Sequence, residues 1–335
     1  MWYTKAANES DVVLSSRVRL ARNIKGIPFP ERASSEEQQK VIDICKEAAE
    51  NGDAELTFID VNAMEDYEKQ AIAEQHIISP LMMDDKVKRG LLLNSDSSES
   101  VLINEEDHLR IQCMAAGMDI ESCFKRANRI DDIIEQTADY AFDARLGYLT
   151  CCPTNLGTGM RASVMMHLPA LTMSGSINSV IDSLGQLGMT VRGIFGEGSK
   201  ATGNIYQISN QMTLGESEEN ILERFSQIIA EVIEKERNLR NRIYEADKYR
   251  IEDKLMRSFG VLTNAVIMTS GEAMTRLSDV RLGVELGIIK NIDLQKINTV
   301  MYEILPGNIV KNYNVKDTTE RDLKRAELIR EILVP

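Results

Sequence analysis

Apolar positions recur along this chain with two periods, and the changes between them mark its elements. Over residues 11–23 the period is two, so Arg17 and Arg19 share one face of a predicted strand while Val18 and Leu20 share the other. Pro28 and Pro30 end it. Residues 34–52 follow the helical period behind an N-cap-like Ser34-Ser35, and a second helix is expected over 63–77, before Pro80. Residues 91–93 and 101–112 read as paired strands joined by the polar turn 94–100. In the second of these, Glu106, His108, Arg110 and Gln112 alternate with Asp107, Leu109, Ile111 and Cys113, which would set Glu106 and Arg110 on one face ~13 Å apart. Residues 121–143 form an amphipathic helical pattern, and 147–152 a short strand running into a glycine turn. Helices are expected over 161–173 and 176–188. A hairpin follows over 189–195 and 203–214, its strands joined by a glycine-rich connector. Ser217 caps a helix over 218–246 whose first-turn Glu218 and Glu219 face the positive end of its dipole.

From about residue 247 the strand signals fade. Helical patterns cover 249–259, 270–286, 294–304 and 318–333. The expected layout is an α+β domain over 1–245 and a smaller all-α domain over 246–335. At 335 residues the chain can build both cores. A hydrophobic fraction of 43% with 27% charged residues is that of an ordinary globular protein. No apolar run approaches the ~20 residues of a membrane span. The N-terminus lacks a secretory signal core, and the five cysteines show neither a disulfide framework nor metal spacing. Reduced thiols in a cytoplasmic protein are therefore expected.

The net charge is −13, and it is concentrated: residues 1–240 hold 24 basic against 38 acidic side chains. That balance disfavours non-specific nucleic-acid binding and suits cationic partners or simple solubility.

Against that acidic background, Arg17, Arg19, Arg110, Arg161 and Arg192 stand on strands or at turns, not on exposed helix faces. A guanidinium stays charged and donates paired hydrogen bonds, which suits phosphate. Any one of them could be an ordinary surface arginine; as a set they form a candidate polyphosphate cage. The turn Asn155-Leu156-Gly157-Thr158-Gly159 could bring N–H groups to an anion at a helix start, but it is no Walker A, kinase or dinucleotide loop, and a plain tight turn explains it better. Glu106 and Glu197 are candidate acids; Glu197 lies between glycines that would let it close over a ligand. Two carboxylates can hold a guanidinium in its plane, and one can take its proton during attack. Cys152 reads as a thiolate near such a group or as a small buried hydrophobe. His76 reads as a base-stacking ring or a core histidine.

Three stretches carry a resemblance: Ser15 to Arg19 (S-x-R-x-R), Asn104 to Arg110 (N-E-E-D-H-L-R) and Cys152 to Arg161 (C-P-T-N-L-G-T-G-M-R). They resemble the motifs of the phosphagen, or guanidino, kinase family, spanning about residues 11–215. The first strand begins almost at once, where creatine and arginine kinases carry a helical N-terminal domain. Arg192-Gly193-Ile194-Phe195-Gly196-Glu197 and Arg321-Asp322-Leu323-Lys324-Arg325-Ala326 are similar to patterns of the family's bacterial protein-arginine kinase branch.

The resemblance implies an antiparallel sheet flanked by helices, as in the glutamine synthetase catalytic domain. It implies that ATP contacts Ser15, Ser16, Arg17, Val18, Arg19, His76, Arg110, Arg161, Ala162, Ser163, Val164, Met165, Arg192, Gly193, Ile194, Phe195, Gly196 and Glu197. Glu106 would be the base, Glu197 its partner and Cys152 the reactive cysteine. Mg²⁺ would arrive on ATP, with no protein side chain as ligand. Residues 321–326 would form a regulatory phosphoarginine pocket. The implied activity is ATP-dependent phosphorylation of arginine side chains on stress-response proteins. The partners implied are an activator protein, a heat-shock transcriptional repressor, a Clp-type unfoldase and further copies of the chain. A kinase of free arginine or another small guanidine, and a non-catalytic adaptor for a repressor or Clp ATPase, are the alternatives.

Overall fold

The computed structural model describes residues 1–5, 7–193, 202–290, 292–315 and 317–334. The strands described are β1 (Val13–Arg22), β2 (Thr57–Asp60), β3 (Gly90–Leu93), β4 (Glu99–Ile103), β5 (Leu109–Ala116), β6 (Phe142–Asp143), β7 (Gly147–Tyr148), β8 (Met160–His167), β9 (Met189–Gly193) and β10 (Ile205–Asn210). Eight of them form one antiparallel sheet in the order β2-β3-β4-β5-β1-β8-β10-β9, and β6 with β7 forms a separate ribbon. The helices are α1 (Ser35–Asn51), α2 (Asp66–Glu74), α3 (Ile120–Glu135), α4 (Pro169–Met173), α5 (Ile177–Gln186), α6 (Glu218–Ala246), α7 (Lys248–Asn264), α8 (Ser270–Glu285), α9 (Leu294–Glu303), α10 (Pro306–Tyr313) and α11 (Thr318–Leu333).

The antiparallel sheet with flanking helices and the helical C-terminal region are as expected. The central strand β1 explains the arrangement. Val18 and Leu20 are fully buried in the main core with α1, α3 and α6, while Arg17 and Arg19 emerge on the opposite face. The expected capping of α1 and α6 is present, with Ser34 Oγ accepting from Glu37 N and Ser217 Oγ from Asn220 N.

Three expectations are corrected. Residues 161–173 are not one helix: Met160–His167 is β8, and only Pro169–Met173 turns helical. Ala162, Val164 and Met166 are buried beneath β8, and its other face is covered too, so an apolar-rich central strand mimics a helical pattern. The glycine turn therefore opens onto a strand, not a helix. Second, residues 101–112 do not run as one strand. Asn104, in the left-handed conformation at φ 58°, breaks the pairing, and a loop over 104–108 separates β4 from β5. Third, α3 ends at Glu135, well short of residue 143. The short strand β2 and the helix α10 were not expected at all.

The C-terminal helices do not stand apart. Leu14, Met165 and Ile205 of the sheet join Met274, Leu277 and Met301 in one buried cluster. Tyr302 stacks on Tyr3 with ring centres 4.4 Å apart.

Candidate active site

The loop at 104–108 is held from all sides. Asn104 Nδ2 donates to the carbonyls of Gln38 and Lys88, both at 2.9 Å, and its backbone N–H donates to the His108 carbonyl. Asp107 Oδ1 accepts from Asn23 Nδ2 and from the Cys151 backbone N–H, each at 2.7 Å. His108 is buried: Nδ1 accepts from Ile24 N and Nε2 faces the Pro28 carbonyl at 2.7 Å, which fixes the neutral tautomer protonated on Nε2. Burial likewise holds its pKa below the usual histidine value. His108 thus belongs to the scaffold, and the expected row of Glu106, His108 and Arg110 on one strand face does not exist.

With the loop in place, the three adjacent acids separate by environment. The side chains of Glu105 and Asp107 are buried, whereas Glu106 is 29% exposed. Arg110 Nη1 lies 2.6 Å from Glu105, and its Nη2 lies 3.3 Å from Glu106. Glu105 also accepts a hydrogen bond from Ser79 Oγ. Burial pushes the Glu106 carboxyl above the usual range, opposed first by Arg110 and last by the nearby Cys152. Cys152 Sγ lies 3.0 Å from Thr154 Oγ1.

The arginines come together. Arg17, Arg19, Arg110 and Arg192 line one cavity of about 620 Å³ with His76 and Gln112. Arg161, opposite Arg19 on β8, senses Arg192 and Arg110 as well as Cys152 and Glu106. Arg17 is steadied by Ser163 Oγ and Gln207 Oε1, at 3.4 and 3.2 Å. Burial, and then neighbouring cations, lower the arginine pKa values: Arg17 to about 10 beside Arg110, Arg19 well below its ordinary value, and Arg161 downward. The Nε atoms of Arg19 and Arg161 are buried without a hydrogen-bond partner. A crowd of like charges with unused donors is the electrostatic form of an anion site.

Other expected contact residues are placed differently. Val18, Ala162 and Val164 face the main core, and Ser16 Oγ donates to the Gly117 carbonyl. Ser15 lies beside the Tyr302 hydroxyl. Met165 packs against the C-terminal helices, and the buried Gly193 ends β9 opposite Tyr206. His76, at φ 60°, borders the cavity, and burial together with Arg17 and Arg19 holds its pKa down to about 3. Ile194, Phe195, Gly196 and Glu197 lie outside the described residues.

On α11, Arg325 and Ala326 are buried. Arg325 donates to the carbonyls of Ile304 and Met268 and pairs with Asp322. Lys324 pairs with Glu327 beside the Tyr313 ring, and Leu323 is exposed. Arg321 senses Glu74, and its Nε is buried without a hydrogen-bond partner.

Sequence reasoning missed Glu105, Gln207, Asn23 and Asp107 as the groups that orient the arginines and loops. The acids sat within the N-E-E-D run, but their sorting depends on the break at Asn104.

Two family models match the chain. Residues 37–239 match the ATP:guanido phosphotransferase catalytic domain, and residues 248–334 match the protein-arginine kinase McsB C-terminal domain. The chain belongs to the protein-arginine kinase family. It is 45% identical over 327 residues to a protein-arginine kinase of Caldanaerobacter subterraneus, covering 96% of each chain. It is 47% identical to that of Bacillus subtilis, covering 99% of this chain and 93% of the relative. Among solved structures, a lombricine kinase matches at 29% identity and TM-score 0.61, with 69% of this chain and 67% of that one covered. A duplicated taurocyamine kinase of Schistosoma mansoni matches at 28% identity and TM-score 0.62, covering 68% and 33%. No described helix of this protein-arginine kinase family member is long and apolar enough to cross a membrane.

Proposed function

We propose that this protein-arginine kinase seats the triphosphate of ATP among Arg17, Arg19, Arg110, Arg161 and Arg192. It passes the γ-phosphoryl group in line to a guanidino nitrogen of an arginine side chain on a protein. The observation that carries this reading is the convergence of guanidinium groups, two with unpartnered buried Nε atoms, beside a half-buried carboxylate. As the P–O bond to ADP breaks and the P–N bond forms, the guanidinium proton passes to Glu106. Arg110, touching Glu106 and bordering the cavity, joins the two halves of the site. Magnesium, carried by the phosphates and not by side chains, supplies further charge neutralisation when bound. Glu197 is assigned as the second acid by its motif, and Cys152, close to Glu106, as a group that shapes the acceptor side.

Family membership supports the wider reading: a cytoplasmic, homo-oligomeric enzyme with an activator, a heat-shock repressor and a Clp-type unfoldase as partners. Within the Arg321 to Ala326 motif, Arg321 is the group left to grip a phosphoarginine, since Arg325 is spent on carbonyls and Asp322.

The test is a competition between acceptors. Radiolabelled ATP is given with an unstructured, arginine-bearing protein and with free arginine, and acid-labile label is counted in each. Label on the protein is expected; label on free arginine alone would overturn the assignment.

A further inference from the structure

The pairings of β1 place a ladder of residues across the arginine face. Arg110 lies opposite Ala21, Arg19 opposite both Gln112 and Arg161, Arg17 opposite Ser163, and Ser15 opposite Met165. From Ala21 to Ser15 is ~20 Å of strand. Glu106 stands at the Arg110 end. At the other end Leu14 and Met165 share a buried cluster with Met274 of α8. The ladder therefore runs from the acid, through the cations, to the C-terminal helices.

The cavity follows the same line. Its walls include Arg17, Arg19 and Arg110, and also Gly271 and Met274 of α8 with Leu305 and Pro306 at the head of α10. These helices are fastened to the catalytic layer beside the cavity. Glu74, at the end of α2 and two residues before His76, accepts from the backbone N–H groups of Gly307 and Asn308 at 2.8 and 3.3 Å. Gln75 Nε2 donates to Asn308 Oδ1 at 2.9 Å. Gly307 lies so near α2 that an added Cβ would meet Ala71 N at 2.7 Å.

We propose that the C-terminal helices supply the base-side wall of the nucleotide site. With the triphosphate held by the arginines, the purine of ATP extends toward Met165. It lies against Met274, Leu305 and Pro306, with the His76 ring bordering the same space. Polarizable and apolar side chains accept a flat aromatic ring, and the cationic end does not. The helical domain is then a structural part of the ATP site, and its seating sets ATP affinity. This inference rests on the ATP-binding reading above.

Gly271 offers the test, because a Cβ added there meets nothing within 4 Å. Gly271→Phe projects a ring into the base-side space, Gly271→Leu does so with less bulk, and Gly271→Ala is the control. Affinities for ATP and for inorganic tripolyphosphate are measured by calorimetry, with melting temperature alongside. The two large variants are expected to bind ATP roughly tenfold more weakly or worse, the scale of one lost base contact. Tripolyphosphate affinity, Gly271→Ala and the melting temperature stay near wild type. Unchanged ATP affinity, or equal loss of both ligands, overturns the inference. Arg19→Ala separates this failure from that of the underlying reading. If Arg19→Ala binds both ligands as wild type does, the arginine cage itself is not the phosphate site. If it loses both while the Gly271 variants lose neither, only the base-side wall falls.

Discussion

Asp107 holds the backbone N–H of Cys151 at 2.7 Å, and through that bond the acid loop and the cysteine loop share one position. The same carboxylate oxygen takes the Asn23 amide, so Glu106, next to Asp107, and Cys152, next to Cys151, are held near one another by a buried anchor. Asp107→Ala leaves two donors unsatisfied. It should destabilise the fold by about 1–3 kcal/mol. It should also lower kcat more than it raises the KM for ATP, since the arginines stand on separate strands. Thermal unfolding and steady-state kinetics check both.

Glu106 predicts a pH effect with a definite sign. A general base works deprotonated, so kcat/KM rises with pH through its pKa. Burial raises that pKa, so the acid limb should lie above the ordinary glutamate value of ~4.3. Glu106→Gln should remove this limb and lower kcat by about 10²–10⁴. A pH–rate profile of both proteins decides it.

The arginine cage predicts opposed effects on stability and binding. Arg19 is crowded by Arg17, Arg110 and Arg161, and its burial and their repulsion depress its pKa. Arg19→Ala should leave the nucleotide-free protein as stable as wild type or more so, while weakening ATP by roughly tenfold or more, the loss of one charge-assisted contact. Melting curves with and without ATP report both effects.

His76 should stay neutral. Its pKa is held down to about 3 by burial and by Arg17 and Arg19, so its ring resonances should not titrate between pH 5 and pH 8. A midpoint near the ordinary ~6.5 would show that the ring is not beside the cage.

At Gly307, α10 meets the backbone of α2, with only 2.7 Å for an added methyl. Gly307→Ala should force the two helices apart, costing about 1–3 kcal/mol by overpacking. Denaturant unfolding of the two proteins gives the difference.

The sequence made β1 legible because one face is cationic and the other apolar, so its period survives inspection. The N-E-E-D-H-L-R and C-P-T-N-L-G motifs likewise singled out two loops that Asp107 joins. β8 hid because it is buried on both faces, and a short apolar run there cannot be distinguished from a helix by period alone. The loop at 104–108 hid because its alternation continues through the break. What ends the strand is the left-handed Asn104, held by the carbonyls of Gln38 and Lys88 far away in sequence. Glu105 could not be told from Glu106 without that break. The joining of the helical layer to the cavity was also out of reach, because it depends on tertiary contacts such as Glu74 with Gly307.

Glu106, set beside the arginine cage, is proposed to drive phosphoryl transfer to protein arginine. The direct measurement is acid-labile phosphate formed on an unstructured protein substrate by wild type and by Glu106→Gln, with ATP affinity measured in parallel. Wild type should form phosphoarginine, and the variant about 10²–10⁴-fold less at similar ATP affinity. Equal labelling by the two proteins would contradict it.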